Sequence, residues 1–172
     1  AVTTASPVSV TGLVAGSCYK WVQTLTDAVG NSSPTTSGAV VVDATAPTVT
    51  SIAPVTTPTN AASASFTITF SEPVTGVTTS NLSLTTTGVS GASLTSATAG
   101  AGTTWTVVVN TGSGDGTIRV DLTSVTGITD AAGNVLAATF SSGTAATIDK
   151  TAPTVSSFSS AATSPSNSTS ID

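Results

Sequence analysis

The amino-acid sequence predicts an all-β protein built from β-sandwich domains in tandem, and three observations lead to this fold class. The 172 residues include 38 Thr and 27 Ser, while charged residues make up only 6%. Thr and Val favour strands, and the helix-forming residues Lys, Glu, Arg and Met are nearly absent. Several segments alternate apolar and polar residues, the period-two pattern of a strand with one buried face. A seven-residue block also occurs twice, which indicates that one domain is repeated along the chain.

The repeated block reads DATAPTV at residues 43–49 and DKTAPTV at residues 149–155, so its two occurrences start 106 positions apart. A second block, TDAVGN at 26–31, recurs as TDAAGN at 129–134. A repeat of this length matches an autonomous domain rather than a solenoid unit. We therefore expect three segments: the C-terminal part of a first copy at 1–43, a complete copy at 44–149 and the N-terminal part of a third copy at 150–172.

About seven segments of the complete copy have the character of short strands separated by turn residues. In chain order they are a strand beginning near Thr48, then residues 65–70, 81–84, a weaker segment near 91–97, 104–110, 116–122 and a last strand near 138–148. Seven short alternating strands over about a hundred residues are the pattern of an immunoglobulin-like (Ig-like) sandwich.

Alternate apolar positions within these strands predict the core. The side chains expected to face inward are Phe66, Ile68, Phe70, Leu82, Leu84, Trp105, Val107, Val109, Ile118, Val120 and Leu122. Arg119 and Asp121 alternate with the last three and are expected to face outward. Trp21, in the partial first copy, has the spacing of an inward residue as well, so core packing is expected for it.

Composition and charge exclude several functional classes. With a net charge of −5 and three basic residues, the chain lacks the clustered basic face that binds nucleic acid. The absence of His and the single Cys18 exclude zinc sites, His-dependent catalysis and intrachain disulfides. Cys18 is expected on the outward side of a strand as a passive residue, with a link between chains as the alternative. No run of about 18 apolar residues is present to span a membrane.

Three longer segments carry a resemblance to a known family. The segments VTGLVAGSCYKWVQTLTDAVGN at 10–31, FSEPVTGVTTSNLSL at 70–84 and VDATAPTV at 42–49 resemble the bacterial Ig-like, fibronectin type III-like repeats of large surface adhesins and S-layer-type proteins. The resemblance implies tandem sandwiches at the bacterial cell surface or outside the cell. It also implies calcium at repeat junctions, which many such adhesins use.

Four polar residues are expected to meet at the junction between the first and second copies. In a seven-stranded Ig topology, Glu72 follows the second strand, Asp130 and Asn134 lie in the last loop, and Asp43 precedes the first strand. These positions fall at one end of the sandwich. Oxygen ligands of this kind suit Ca²⁺, so calcium binding here is one of two hypotheses, the other being a purely structural turn. The equivalent residues at neighbouring junctions are Asp27 and Asp149.

A structural interpretation of the same residues stays open. Asp130 can cap its own turn by accepting backbone N–H bonds, and Pro47 can act as part of a rigid spacer. Glu72 and Asp130 could also be considered as a pair of glycosidase carboxylates, but nothing in the sequence indicates a substrate cleft, and no enzyme activity is expected.

We expect a non-enzymatic structural repeat of a bacterial extracellular surface protein, such as an adhesin stalk, an S-layer or a surface fibre. Its partners are then the adjacent repeats, together with further copies in a layer or fibre, or the surface to which it adheres. The alternatives are an Ig-like module that binds carbohydrate or protein, and a spacer domain of a secreted enzyme.

Overall fold

Eleven strands and one three-residue 3₁₀ turn make up the regular structure of residues 10–159, which are the residues that the computed structural model describes. The all-β class predicted from composition is confirmed. The strands are β1 Cys18–Tyr19, β2 Val22–Thr26, β3 Ser32–Thr36, β4 Val40–Val41, β5 Val49–Pro54, β6 Ser63–Phe70, β7 Leu82–Thr87, β8 Ser93–Ala99, β9 Thr104–Asn110, β10 Gly116–Leu122 and β11 Ala146–Ile148. The 3₁₀ turn covers Thr79–Asn81.

The limits of the described region bear on two of the expected segments. Residues 1–9 of the expected first copy and 160–172 of the expected third copy lie outside it. Residues 151–159 are described and carry no strand. Within the described region, no helix reaches the length and apolar character needed to cross a membrane.

Strands β5 to β11 form a sandwich of two antiparallel sheets. One sheet has the order β5-β6-β9-β8 and the other has the order β11-β10-β7. With the strands lettered A to G in chain order, the two sheets are ABED and CFG, the arrangement of constant-type Ig domains. In this topology the β6–β7 and β10–β11 connections come to the end of the sandwich at which β5 begins.

Alternating side chains of the two inner faces fill a single apolar core. Its buried apolar residues are Ile52, Ala64, Phe66, Ile68, Phe70, Val74, Val77, Leu82, Val107, Val109, Ile118, Val120, Leu122, Ile128, Leu136, Ala146 and Ile148. The predicted inward positions of β6 and β10 are therefore confirmed. Leu84 and Trp105 are partly buried and pack against this core.

Two predictions about side-chain exposure need correction. Asp121 alternates outward as expected, yet its relative exposure is only 4%, because Arg119 and Thr85 cover and bind its carboxylate. Trp21 was expected in a core, but its exposure is 37%. It lies between β1 and β2 of two short two-stranded ladders, and no residue among 10–43 is buried.

The last strand is shorter than the predicted 138–148. Leu122 and Phe140 exchange two backbone hydrogen bonds of 2.8 Å, but the chain then leaves β10. The amide of Thr144 donates to the carbonyl of Ile52 in β5, 2.8 Å away. Because residues 141–145 cross towards the other sheet, the ladder with β10 resumes only at Ala146.

The segment before the sandwich repeats some of its strand pairings. Cys18 pairs with Val41 in the β1–β4 ladder, and Thr117 pairs with Thr147 in the β10–β11 ladder. Both ladders are antiparallel. Thr117 lies 99 positions after Cys18, and Thr147 lies 106 positions after Val41, the offset of the repeated seven-residue block.

Candidate functional site

Two loops pair with each other at the end of the sandwich where β5 begins. The amide of Thr75, after β6, donates to the carbonyl of Thr129, and the amide of Thr129 donates back, at 2.8 and 3.2 Å. Gly76 makes this approach possible: its φ is +85°, and an added Cβ would lie 1.9 Å from the carbonyl oxygen of Gly127. The pairing fixes the loop that carries Glu72 against the loop that carries Asp130.

Buried Asn81 anchors the second of these loops. Its side-chain amide nitrogen donates to the carbonyls of Ser124 and Thr126, at 3.1 and 2.9 Å. Its side-chain oxygen accepts the amide of Thr78 at 2.9 Å. The side chain therefore ties the 3₁₀ turn before β7 to the connection that follows β10. Sequence reasoning missed this role, since one Asn among many polar residues gives no signal.

The carboxylate of Asp130 closes a tight turn. Its Oδ1 accepts the amides of Ala132 and Asn134, each at 2.8 Å, and its Oδ2 accepts the Asn134 side-chain amide at 2.8 Å. The Asn134 side chain contributes most to holding the pKa of Asp130 below its ordinary value, and backbone amides add to the effect. The structural interpretation of Asp130 as a turn cap thus describes the observed hydrogen bonds.

The same turn occurs at Asp27. Its Oδ1 accepts the amides of Val29 and Asn31 at 3.0 and 2.8 Å, and its Oδ2 accepts the Asn31 side chain at 2.8 Å. The Asn31 side chain is also the main cause of a lowered pKa at Asp27. The sequence block TDAxGN therefore specifies one local structure at both of its occurrences.

Asp43 and Asp149 begin the two repeated blocks, and each accepts a backbone hydrogen bond from the Thr two positions later. The amide of Thr45 lies 2.9 Å from Asp43 Oδ1, and that of Thr151 lies 3.1 Å from Asp149 Oδ1. These are Asx turns. At the first block, the Asn134 side chain also donates to the backbone carbonyl of Asp43 at 3.3 Å, which joins the linker to the loop of Asp130.

Asp43, Glu72 and Asp130 form one acidic cluster, with a carboxylate oxygen of each within 4.8 Å of the other two. Among residues 10–159 this is the one group of three potential metal-binding side chains so close together. The ion pair found in that part of the chain, Arg119–Asp121, lies elsewhere. Desolvation, then repulsion by Asp130 and Asp43, raises the pKa of Glu72.

The donor atoms of this acidic cluster fit a hard cation. Calcium binds oxygen at about 2.3–2.6 Å, so two oxygens on one ion lie no more than about 5 Å apart. The Glu72 carboxylate and Asp43 Oδ2 accept no backbone hydrogen bond within the described region. Asp130 Oδ2 accepts one hydrogen bond and keeps a second lone pair for a cation. The Asn134 nitrogen donates to Asp43 and Asp130, so a direct bond from Asn134 to the cation would have to come from its side-chain oxygen.

The remaining predicted positions lie apart from the acidic cluster. Asp27 is exposed in its own turn, and Asp149 lies near Thr59, whose carbonyl accepts the Asp149 amide at 3.0 Å. Cys18 is an exposed free thiol. Sequence reasoning also missed Asp115, which binds the segment after β11. The signal available for it was an Asp within the glycine-rich turn GSGDG.

Comparison with known proteins gives a family for this chain. No curated protein and no solved structure matches it. The family model described as bacterial Ig-like domain matches residues 43–145, more than half of the chain. The match begins at Asp43 and includes Glu72, Asp130 and Asn134. The four-stranded and three-stranded sheets described above agree with this assignment, and the chain belongs to the bacterial Ig-like domain family.

Proposed function

We propose that this chain is a structural, non-enzymatic part of a bacterial extracellular surface protein, in which Ig-like repeats in series form a stalk, a layer or a fibre. Domains of this family are typically non-catalytic and are common in extracellular and surface proteins. Antibody labelling of intact bacteria that make the protein tests the location. We expect the antibody to label intact cells, and we expect protease treatment of whole cells to remove the label. Labelling only after lysis would contradict the proposal.

The observation that carries the tandem arrangement is the recurrence of local structure along the chain. The Asp27–Asn31 turn and the Asp130–Asn134 turn have the same hydrogen bonds, and the β1–β4 ladder has the pairing of β10–β11. Each repeat would end in an Asx turn at Asp43 or Asp149. A Pro-containing spacer of fixed φ follows each turn, which favours an extended and rigid joint.

Calcium at the acidic cluster is the second part of the proposal. Asp43 belongs to the linker, Glu72 to the loop after β6, and Asp130 to the loop after β10. A cation held by all three would connect the linker to two loops of the domain and offset the repulsion that, after desolvation, raises the pKa of Glu72. Backbone carbonyls and water would complete the six to eight ligands that calcium takes.

Calorimetry of the full chain with and without Ca²⁺ tests this part. We expect a binding isotherm with one strong site and a higher melting temperature at saturating calcium, because an ion that binds only the folded state stabilises it. Glu72→Gln should abolish both effects. Asp149→Asn is the matched control, since it removes a carboxylate outside the acidic cluster. Equal calcium responses in the two variants would contradict the site.

A binding module remains the second candidate, and one observation favours it. Trp21 is an exposed aromatic ring, and apolar side chains of the same region, including Val22 and Leu25, are exposed as well. Exposed aromatic and apolar groups mark recognition surfaces. Binding of the full chain on a glycan array, lost in Trp21→Ala, would support this function over the purely structural one.

A further inference from the structure

The segment that follows β11 lies on the loop between β9 and β10. The Lys150 amide donates to Asp115 Oδ1 at 2.6 Å, and the Thr151 hydroxyl donates to Asp115 Oδ2. The Lys150 ammonium donates to the carbonyl of Gly112 at 2.6 Å. Two consecutive residues thus contact the loop through backbone and side-chain groups. The Thr151 amide also donates to Asp149 Oδ1 at 3.1 Å, which closes an Asx turn just before the contact.

Contacts with neighbouring segments hold the loop between β9 and β10 in place. Thr111, at its start, is fully buried, and its hydroxyl donates to the carbonyl of Ala61 at 2.6 Å. Ser113 and Ser90 exchange two backbone hydrogen bonds of 2.9 Å. Gly112 has a φ of +63°, and an added Cβ would lie 2.1 Å from the carbonyl oxygen of Ser90. Neighbouring structure therefore holds residues 111–113 in place, including the carbonyl of Gly112.

We propose that the β9–β10 loop is a binding site for the peptide segment leaving the domain, and that Asp115 recognises the Lys150–Thr151 pair. One carboxylate can accept a backbone amide and a hydroxyl at once, and an ammonium group can bind a carbonyl. Thr151 and then the Lys150 amide hold the pKa of Asp115 below its ordinary value, as expected for a carboxylate that accepts these bonds.

The corresponding groups are absent at the first repeated block. The pairing of Cys18 with Val41 and of Thr117 with Thr147 places Gly16 at the position of Asp115. Ala44 stands at the position of Lys150. The bonds from Lys150 and Thr151 to Asp115 therefore have no side-chain counterpart at the position of Gly16. This inference concerns only the domain and its following segment, and it holds whether or not the protein forms a surface structure.

Limited trypsin digestion of the full chain tests the site, because the chain offers three cleavage positions. Lys20 is exposed and serves as the internal standard, whereas cleavage at Arg119, within β10, reports unfolding of the sandwich. Cleavage after Lys150 requires its segment to leave the loop. We expect Lys150 to be cut more slowly than Lys20 in the unaltered protein.

Asp115→Ala removes two hydrogen bonds and should accelerate cleavage at Lys150 by at least about tenfold, the factor that the loss of even one hydrogen bond to a charged group gives. Cleavage at Lys20 and Arg119 should keep its rate. If Asp115→Ala also accelerates cleavage at Arg119, the Thr151→Val variant tests the site instead. This change removes the hydroxyl partner of Asp115, which lies outside the sandwich, and should accelerate cleavage at Lys150 alone. Unchanged cleavage at Lys150 in Thr151→Val, or equal rates at Lys20 and Lys150 in the unaltered protein, would overturn the proposal.

Discussion

Asn134 donates two hydrogen bonds to the carboxylate of Asp130, one from its backbone amide and one from its side chain, each 2.8 Å long. Asn31 does the same for Asp27. Asp130 therefore closes a turn, and one of its carboxylate oxygens also lies within 4.8 Å of carboxylate oxygens of Asp43 and Glu72. Turn formation and cation binding are compatible at this residue, and substitutions can separate them.

Replacing Asp130 separates its two tasks. Asp130→Ala removes three hydrogen bonds of the turn, and we expect the melting temperature of the sandwich to fall by roughly 5–10 °C. Asp130→Asn keeps an acceptor for the two backbone amides, so the fall should be smaller, but the calcium response should be lost. Asp27→Asn, the same change in the other turn, is the control. If it abolished the calcium response as well, Asp130 would have no special role in binding.

Replacing Glu72 should raise the melting temperature without calcium, whereas replacing Asp130 should lower it. Its carboxylate accepts no hydrogen bond that lowers its pKa, and it is repelled by Asp130 and Asp43. We expect Glu72→Gln to raise the melting temperature without calcium by about 2 °C, because the change removes this repulsion. Calorimetry in the presence of a chelator measures the shift. A destabilised Glu72→Gln would mean that the carboxylate supports the fold rather than a ligand.

Much of the sandwich could be predicted from local pattern. Phe66, Ile68 and Phe70 alternate with hydroxyl residues, and a strand of period two needs only that information to choose its buried face. The repeated TDAxGN block likewise specifies its turn locally, through one Asp and one Asn. These predictions succeeded because their physical causes lie within a few residues of chain.

Other features depend on contacts between distant segments. Trp21 has the spacing of a core residue, but burial requires other apolar segments to cover it, and no residue among 10–43 is buried. Asp121 alternates outward, yet Arg119 and Thr85 cover it. The orientation of the Asn134 amide follows from its two acceptors, one of which is 91 positions away in the sequence. No local pattern carries this information.

Three aspartates of the sandwich should make it less stable at acid pH. Asp115 and Asp130 have lowered pKa values in the folded state, through bonds from Thr151 and Asn134 respectively. Burial alone would raise the pKa of Asp121, but hydrogen bonds from Arg119 and Thr85 lower it overall. A lowered folded-state pKa contributes stability above the ordinary aspartate value of 3.8, and this contribution is lost as the pH falls through the folded-state value.

Glu72 should instead make the folded state more stable as the pH falls. Because its folded-state pKa is raised above the ordinary 4.5, its protonation favours the folded state as the pH falls through the raised value. Denaturant titrations without calcium should therefore show little loss, or a small gain, between pH 7 and 5, and a steep loss below pH 4. Glu72→Gln should remove the gain and leave the acid loss unchanged. A loss of stability already complete at pH 5 would contradict these pKa directions.

Asn81→Asp should be among the most destabilising single changes in the domain. The Asn81 side chain is 3% exposed, and its nitrogen donates to the carbonyls of Ser124 and Thr126. Asp has the same shape but offers only acceptors when ionised, so a buried carboxylate would face two carbonyl oxygens. We expect a loss of about 3–5 kcal/mol, the range for an uncompensated buried charge.

Asn60→Asp makes the same change at an exposed position and should cost less than about 0.5 kcal/mol. The two free energies of unfolding at pH 7 are compared by denaturant titration. Equal losses would mean that Asn81 does not anchor the loop. The loss in Asn81→Asp should also shrink towards pH 4, where protonation of the new carboxyl removes its charge and restores a donor.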